Sequence, residues 1–388
     1  MRENPLTKLQ ALGQSIWLDY TRRDLIARGE LRRLIEEDGL SGMTSNPSIF
    51  EKAIAHGDYY DEEIRDMAFH GRSPISIYET LSQEDIRSAA DAFRPVYDQT
   101  HGADGYVSLE VNPHLAHDTR GTIVEARRLW RALDRPNVFI KVPATAAGVP
   151  AIQQLISEGI SVNVTLLFGL PRYRQVIEAY LAGLEARASQ GQSLKWVKSV
   201  ASFFLSRIDV IVDPLLQKIM GQPGPQAELA RKLHGEVAMG SAVTAYQIYR
   251  EIFASERFKA LEKHGAGVQR LLWASTSTKN PDYSKLKYIE ALIGPNTINT
   301  VPLETLSAYR DHGQPHARLQ EDVAGAASVL AKLPDIGIDL DRITQQLEDE
   351  GVAKFNKAFA TLVETLTRKA RHFNETQSGR EQGITYVT

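Results

Sequence analysis

The chain has no cysteine, which removes disulfides, thiolate zinc sites and a cysteine nucleophile together and fits a reducing compartment. It also lacks an excess of either charge, because 45 basic and 48 acidic side chains leave a formal net charge of −3. A polyanion-binding protein is typically basic, so no nucleic acid is expected as a partner. Long apolar runs are missing too. None could span a membrane, and Met1–Ser15 carries no apolar stretch of the secretory kind. A cytoplasmic protein with no membrane partner is the expectation. Neither a GxxxxGK[ST] loop nor a GxGxxG turn is present, so two common nucleotide cradles are absent and no cofactor is expected.

What the chain does have is apolar material for a large core, 43% of its 388 residues being hydrophobic. Length alone would allow two domains. Short β-rich runs recur at Ser15–Asp19, Gly39–Thr44, Tyr106–Asn112, Val138–Pro143, Ile160–Leu167, Val200–Leu205, Arg270–Ser275 and Thr297–Leu303. Most are near-continuous Val, Ile, Leu and Phe, the pattern of parallel strands covered on both faces. Helical patterns such as Arg22–Glu37, Thr119–Leu133 and Pro171–Arg187 separate them. The α/β alternation predicts a single (β/α)8 TIM barrel with extra helices. After the Pro223-Gly224-Pro225 break, Gln226–His264 is too long for one crossover helix and reads as a helical insertion over 223–264. Amphipathic C-terminal helices over 315–373 are expected to pack across the outside of the barrel, and the polar 374–388 to form a flexible tail. The whole, 1–388, reads as one decorated domain.

In such barrels chemistry sits at the carboxyl ends of the strands. The polar residues closing the runs there are Asp19, Ser45-Asn46, Glu110 with Asn112, Lys141, Asn163 with Thr165, Ser202 with Arg207, and Ser275–Lys279. Lys141 stands between Ile140 and Val142 in an otherwise apolar strand. Desolvation favours a neutral lysine amine that can attack a carbonyl and form a Schiff base, without metal or cofactor. The alternative is an amine that snorkels to the surface. Glu110 is either one half of a buried ion pair, with Lys141 as a candidate partner, or a proton shuttle. Asp19 is either a helix cap or a second acid–base group. Asn163 and Thr165 share one strand face, and their sequon is discounted because an apolar strand is the wrong context for glycosylation. Arg207 offers a fork of donors to a phosphate, or pairs with Asp209 or Asp213. His114, His117 and Asp118 could be read as a metal cluster, but Asp118 also reads as the cap of a helix starting at Thr119, and no metal is expected.

Taken together, Gly42-Met43-Thr44-Ser45-Asn46-Pro47-Ser48, Ser108-Leu109-Glu110-Val111, Ile140-Lys141-Val142-Pro143-Ala144-Thr145, the run from Gly159 to Phe168 and the run from Ala201 to Arg207 resemble the transaldolase family. The resemblance extends from about Ser15 to Leu306, and the segment from Pro295 to Pro302 resembles the long bacterial type. It implies a circularly permuted barrel of the class I aldolase type. The implied activity is that of a transferase in the pentose phosphate pathway, moving a dihydroxyacetone unit from sedoheptulose 7-phosphate to glyceraldehyde 3-phosphate to give erythrose 4-phosphate and fructose 6-phosphate. Lys141 matches the Schiff-base lysine, Glu110 the carboxylate that passes protons through a water held by Thr165, and Asp19 the acid–base group at the C4 hydroxyl. Asn46, Asn163 and Ser202 match substrate hydroxyl contacts, and Arg207 a phosphate ligand.

There is one departure. Many members of the family carry a second phosphate-binding arginine after the seventh strand, where this chain reads Ala274-Ser275-Thr276-Ser277-Thr278-Lys279-Asn280. Lys279 is left to supply the charge without a bidentate fork. Fructose-6-phosphate aldolases are similar too, but tend to carry glutamine where Glu110 stands and tyrosine where Phe204 stands. Sugar phosphates are the expected partners, with a monomer or homodimer as the assembly. The alternatives are a fructose-6-phosphate aldolase-like enzyme, a metal-dependent aldolase using the His114/His117 region, or a sugar-phosphate binding protein on an inactive barrel.

Overall fold

Eight parallel strands, β1 (Gln14–Asp19), β2 (Gly42–Thr44), β3 (Tyr106–Glu110), β4 (Val138–Pro143), β5 (Val162–Leu167), β6 (Ser199–Phe204), β7 (Arg270–Ala274) and β8 (Thr297–Val301), pair in sequence order. Pairing of β1 with β8 closes the barrel. The computed structural model describes residues 4–55 and 57–384, with side chains to residue 375. Each strand coincides with one of the apolar runs, because burial of both faces leaves little room for polar alternation. Boundaries moved where glycine intervenes. Gly39, at φ +70°, ends the helix Glu30–Asp38 in the left-handed region and so leaves β2 shorter than its run. Gly29, at φ +76°, divides the expected helix Arg22–Glu37 into Arg23–Ala27 and Glu30–Asp38.

Inside the barrel, the amino-terminal half is filled by aromatic rings. Trp17 stacks on Phe139 with centroids 6.2 Å apart, and Phe139 on Tyr106 at 4.3 Å. Gly42 makes room for the indole, since a Cβ there would fall 2.4 Å from the Trp17 ring. The indole N–H donates to Asp104 Oδ1 at 2.7 Å, and Arg270 lies 3.5 Å from the same carboxylate. This floor displaces open volume toward the carboxyl ends of the strands.

The insertion folds as three helices, Pro225–Leu233, Val237–Phe253 and Glu256–Glu262. Two buried carboxylates of the helix Ser206–Met220 bind it in place. Asp209 accepts from the Ala238 N–H at 2.9 Å and the Tyr288 hydroxyl at 2.7 Å. Asp213 accepts from the Gly235 N–H at 2.9 Å and the Tyr283 hydroxyl at 2.6 Å.

The C-terminal segment corrects the expectation of a purely external position. Its last helix, Leu340–Ile384, crosses the carboxyl mouth of the barrel, where Leu347, Glu350, Gly351, Lys354 and Phe355 line the central cavity. Gly351 permits this approach, because a Cβ there would meet the Leu166 side chain at 2.9 Å. Arg172 holds Glu348 at 3.1 Å, and Lys369 holds Asp61 at 2.5 Å. Amphipathicity marks a helix face to be buried but not the surface that buries it. The expected break at residue 374 is absent from the backbone, which stays helical through Ile384. The remainder of the expected tail, 385–388, lies outside the described residues.

Candidate active site

A cavity of about 700 Å³ opens at the carboxyl ends of the strands. Asp19 of β1, Lys141 of β4, Thr165 of β5 and Ser202 of β6 line it, together with Asn46, Arg207 and Lys279 from the segments that follow β2, β6 and β7. Of the residues to which the family resemblance assigns a role, Glu110 and Asn163 stand off this wall. Strand register nevertheless sets both beside the lysine, with Glu110 paired to Lys141 and Lys141 to Asn163 on consecutive strands.

Lys141 is only 4% exposed, so it does not snorkel to the surface. Its Nζ donates to the Ser45 carbonyl at 2.8 Å and lies 3.3 Å from Glu110 Oε2. Among the described residues, neither carboxylate oxygen of Glu110 has a hydrogen bond of good geometry. Burial raises the Glu110 carboxyl above its usual range, against the opposing pull of Lys141. The carboxylate also borders a second, water-sized space of about 20 Å³ with Tyr78, Ser82 and Asn112. The ion-pair reading of Glu110 therefore holds, and the pair is loose enough for the carboxylate to accept another donor.

Asp19 is not a helix cap, because the following helix begins at Arg23 with Arg22 before it. Its Oδ1 accepts from Thr44 Oγ1 at 2.8 Å, and Thr44 shares a hydrogen bond with Thr300 at 2.8 Å. Burial raises this carboxyl as well, opposed by Lys141, Thr44 and Lys279. Two carboxylates with raised proton affinity thus flank one amine, a setting suited to moving protons near neutral pH.

Asn163 is held in a chain of side chains: its Nδ2 donates to Ser108 Oγ at 3.0 Å, and Ser202 Oγ donates to its Oδ1 at 2.7 Å. Thr165 Oγ1 is buried with no partner among the described residues. Just beyond it the β5–β6 register shifts and Leu166 takes φ +53°. Asn46 Oδ1 accepts from the Ile49 N–H at 3.0 Å, at the start of the helix Pro47–Ala55.

Arg207 has no ion-pair partner among the described residues. Asp209 and Asp213, its alternatives in the sequence, are taken up by the insertion and by Tyr283 and Tyr288. Lys279 donates to Ser277 Oγ at 2.5 Å, and partial burial together with Arg207 lowers its proton affinity. Lys52 and Lys354 join the same wall, as do the carboxylates Glu304 and Glu350.

Sequence reasoning missed Lys52, Lys354, Glu304, Glu350 and the Thr44–Thr300 pair. The hydroxyls were visible as polar breaks in apolar strands. The lysines had no local signal, being charged residues on amphipathic helices.

At the proposed metal cluster, Asp118 Oδ1 accepts from the Gly121 N–H at 2.9 Å as the cap of Thr119–Leu133. His114 packs edge-on against Phe359 at 5.7 Å. Among the described residues no three His, Asp or Glu side chains gather around a common point that could hold a metal ion. Nor is any described helix long and apolar enough to cross a membrane.

A family model described as Transaldolase/Fructose-6-phosphate aldolase matches residues 16–366, a span that takes in much of the C-terminal helix. A protein named transaldolase from Trichodesmium erythraeum is 46% identical over 96% of this chain and 99% of its own length. Similar proteins of the same name come from Thiobacillus denitrificans, 47% identical over 91% of this chain and 96% of its own, and from Mycolicibacterium smegmatis, 45% identical over 94% and 97%. With a closed eight-stranded barrel and a lysine–carboxylate pair at its carboxyl end, the chain belongs to the transaldolase/fructose-6-phosphate aldolase family.

Proposed function

We propose that the protein is a transaldolase that moves a dihydroxyacetone unit from sedoheptulose 7-phosphate to glyceraldehyde 3-phosphate through a Schiff base on Lys141, in the cytoplasm and within the pentose phosphate pathway. The observation that carries this reading is the buried Lys141 amine, 3.3 Å from Glu110 and open to a cavity whose wall carries Arg207, Lys279, Lys52 and Lys354 beside Glu304 and Glu350. The amine attacks the donor ketone, and loss of water leaves an iminium that withdraws electrons from the C3–C4 bond. Asp19 takes the C4 hydroxyl proton as that bond breaks, releasing the aldose product and leaving an enamine. Glu110, with a water at Thr165, carries the protons of iminium formation and hydrolysis. Asn46, Asn163 and Ser202 orient the sugar hydroxyls, while Arg207 and Lys279 bind the phosphate.

A fructose-6-phosphate aldolase would instead let water protonate the enamine and release dihydroxyacetone. Glu110 and Phe204, where those aldolases tend to carry glutamine and tyrosine, favour transfer to an aldehyde. The test is intact mass after borohydride reduction with fructose 6-phosphate, followed by peptide mapping. A reduced three-carbon adduct on Lys141 is expected. Cleavage without an adduct, lost on chelation, would replace the Schiff base with metal chemistry, and binding without cleavage would leave a sugar-phosphate binding protein.

A further inference from the structure

We propose that Lys354, on the C-terminal helix, is a ligand for the terminal phosphate of the sugar substrate, so that this helix completes the anion subsite begun by Arg207 and Lys279. The inference rests on the sugar-phosphate reading above and deepens it. Leu347, Glu350, Gly351, Lys354 and Phe355 follow the i, i+3, i+4, i+7, i+8 spacing of one helix face, and all five line the cavity. The face is seated by Gly351 against Leu166 and by Glu348 against Arg172. Lys354 therefore stands on the same wall as Arg207, Lys279 and Lys52, with its side chain exposed to the cavity mouth.

The carboxylates Glu304 and Glu350 share this wall, and Glu304 and Asp19 act on Lys279 at longer range. Among the described residues, however, no direct ion pair takes up Arg207, Lys279 or Lys354, although the molecule pairs its cations freely elsewhere, as in Arg172–Glu348 at 3.1 Å. Partial desolvation, and then repulsion from Arg207, Lys279 and Lys52, lowers the proton affinity of Lys354 although its side chain is exposed. Like charges held at one rim favour a dianion there. A single arginine fork and two point charges would then do what two forks do in relatives with a second arginine. Since a phosphate at the rim keeps its contacts while the sugar carbons react, Lys354 acts in binding and not in the bond-breaking step.

The experiment uses the full chain with Lys354→Met and Lys354→Arg. Steady-state transfer from fructose 6-phosphate to erythrose 4-phosphate should show KM raised about tenfold in Lys354→Met, with kcat little changed, and largely restored in Lys354→Arg. Calorimetric titration with inorganic phosphate should show a similar loss of affinity, with unchanged circular dichroism. Wild-type KM and wild-type phosphate affinity in Lys354→Met would overturn the proposal, as would a wild-type protein that binds no phosphate. If the parent protein forms no borohydride adduct, the transaldolase reading falls by itself, and the phosphate titration still decides the subsite. Weaker binding in Lys354→Met would uphold it, and equal binding would remove it.

Discussion

Lys141 Nζ lies 3.3 Å from Glu110 Oε2 inside the barrel, while neither carboxylate oxygen has a hydrogen bond among the described residues. A buried carboxylate left this open is placed to take up and return a proton. Replacing it with the near-isosteric amide in Glu110→Gln removes the proton carrier and keeps the volume. We expect transfer to fall about 100-fold or more. Rapid-quench trapping with borohydride should show slow accumulation of the adduct. An adduct formed at the parental rate would deny Glu110 that part.

Asp19 carries a pH signature with a definite sign. Its carboxyl is raised by burial, and in the proposed role of base it must be ionised. The acid limb of kcat/KM should therefore lie above the value of about 4 usual for an aspartate. For stability the direction is opposite. The folded protein holds the Asp19 proton more tightly than the unfolded chain does, so the stabilising contribution of the protonated group is lost as pH rises through the folded value. Asp19→Asn should raise the unfolding temperature relative to the parent at pH 8 but not in acid, while reducing transfer about 100-fold. An equal difference at both pH values would contradict the linkage.

Thr165 separates structural from chemical need. Its hydroxyl is buried without a partner among the described residues, so Thr165→Val should leave stability unchanged or improve it by about 1 kcal/mol. Transfer should nonetheless fall by about tenfold or more, since in the proposed mechanism this hydroxyl holds the water that relays protons. Parental kcat in a stable variant would show that no such water is used.

Phe204 lines the cavity and packs against Phe168 with centroids 5.1 Å apart. Phe204→Tyr adds a hydroxyl at that wall. Release of free dihydroxyacetone from fructose 6-phosphate without an acceptor should increase several-fold, as the enamine gains access to a proton. Unchanged partitioning would mean that the position does not govern the fate of the enamine.

Gly42 tests the floor. A Cβ would fall 2.4 Å from the Trp17 ring, so Gly42→Ala should cost about 1–3 kcal/mol by overpacking. Chemical denaturation of Gly42→Ala, Trp17→Leu and the double variant gives the coupling directly. Simple additivity would show that the two side chains do not compete for the same space.

The barrel was legible in the chain because its signals are local. Eight apolar runs, each long enough for one strand and separated by helical periodicity, leave few ways to bury both faces of every strand. Lys141, Glu110 and Asn163 were legible for a related reason: a polar residue inside such a run is costly unless it has a partner. Register then made them neighbours on β3, β4 and β5. The insertion too was visible, since no single crossover helix needs that many residues.

Tertiary structure alone decided the rest. The chain shows that Leu340–Ile384 has an apolar face, but only packing sends that face across the mouth, with Gly351 on Leu166 and Lys354 at the cavity. It shows Asp209 and Asp213 near Arg207, but only the docked insertion and the Tyr283 and Tyr288 hydroxyls occupy them and leave the arginine without an ion-pair partner among the described residues. Periodicity along a chain records what each segment must bury. Which surfaces meet, and which charges are left without partners when they do, depends on contacts between residues far apart in sequence.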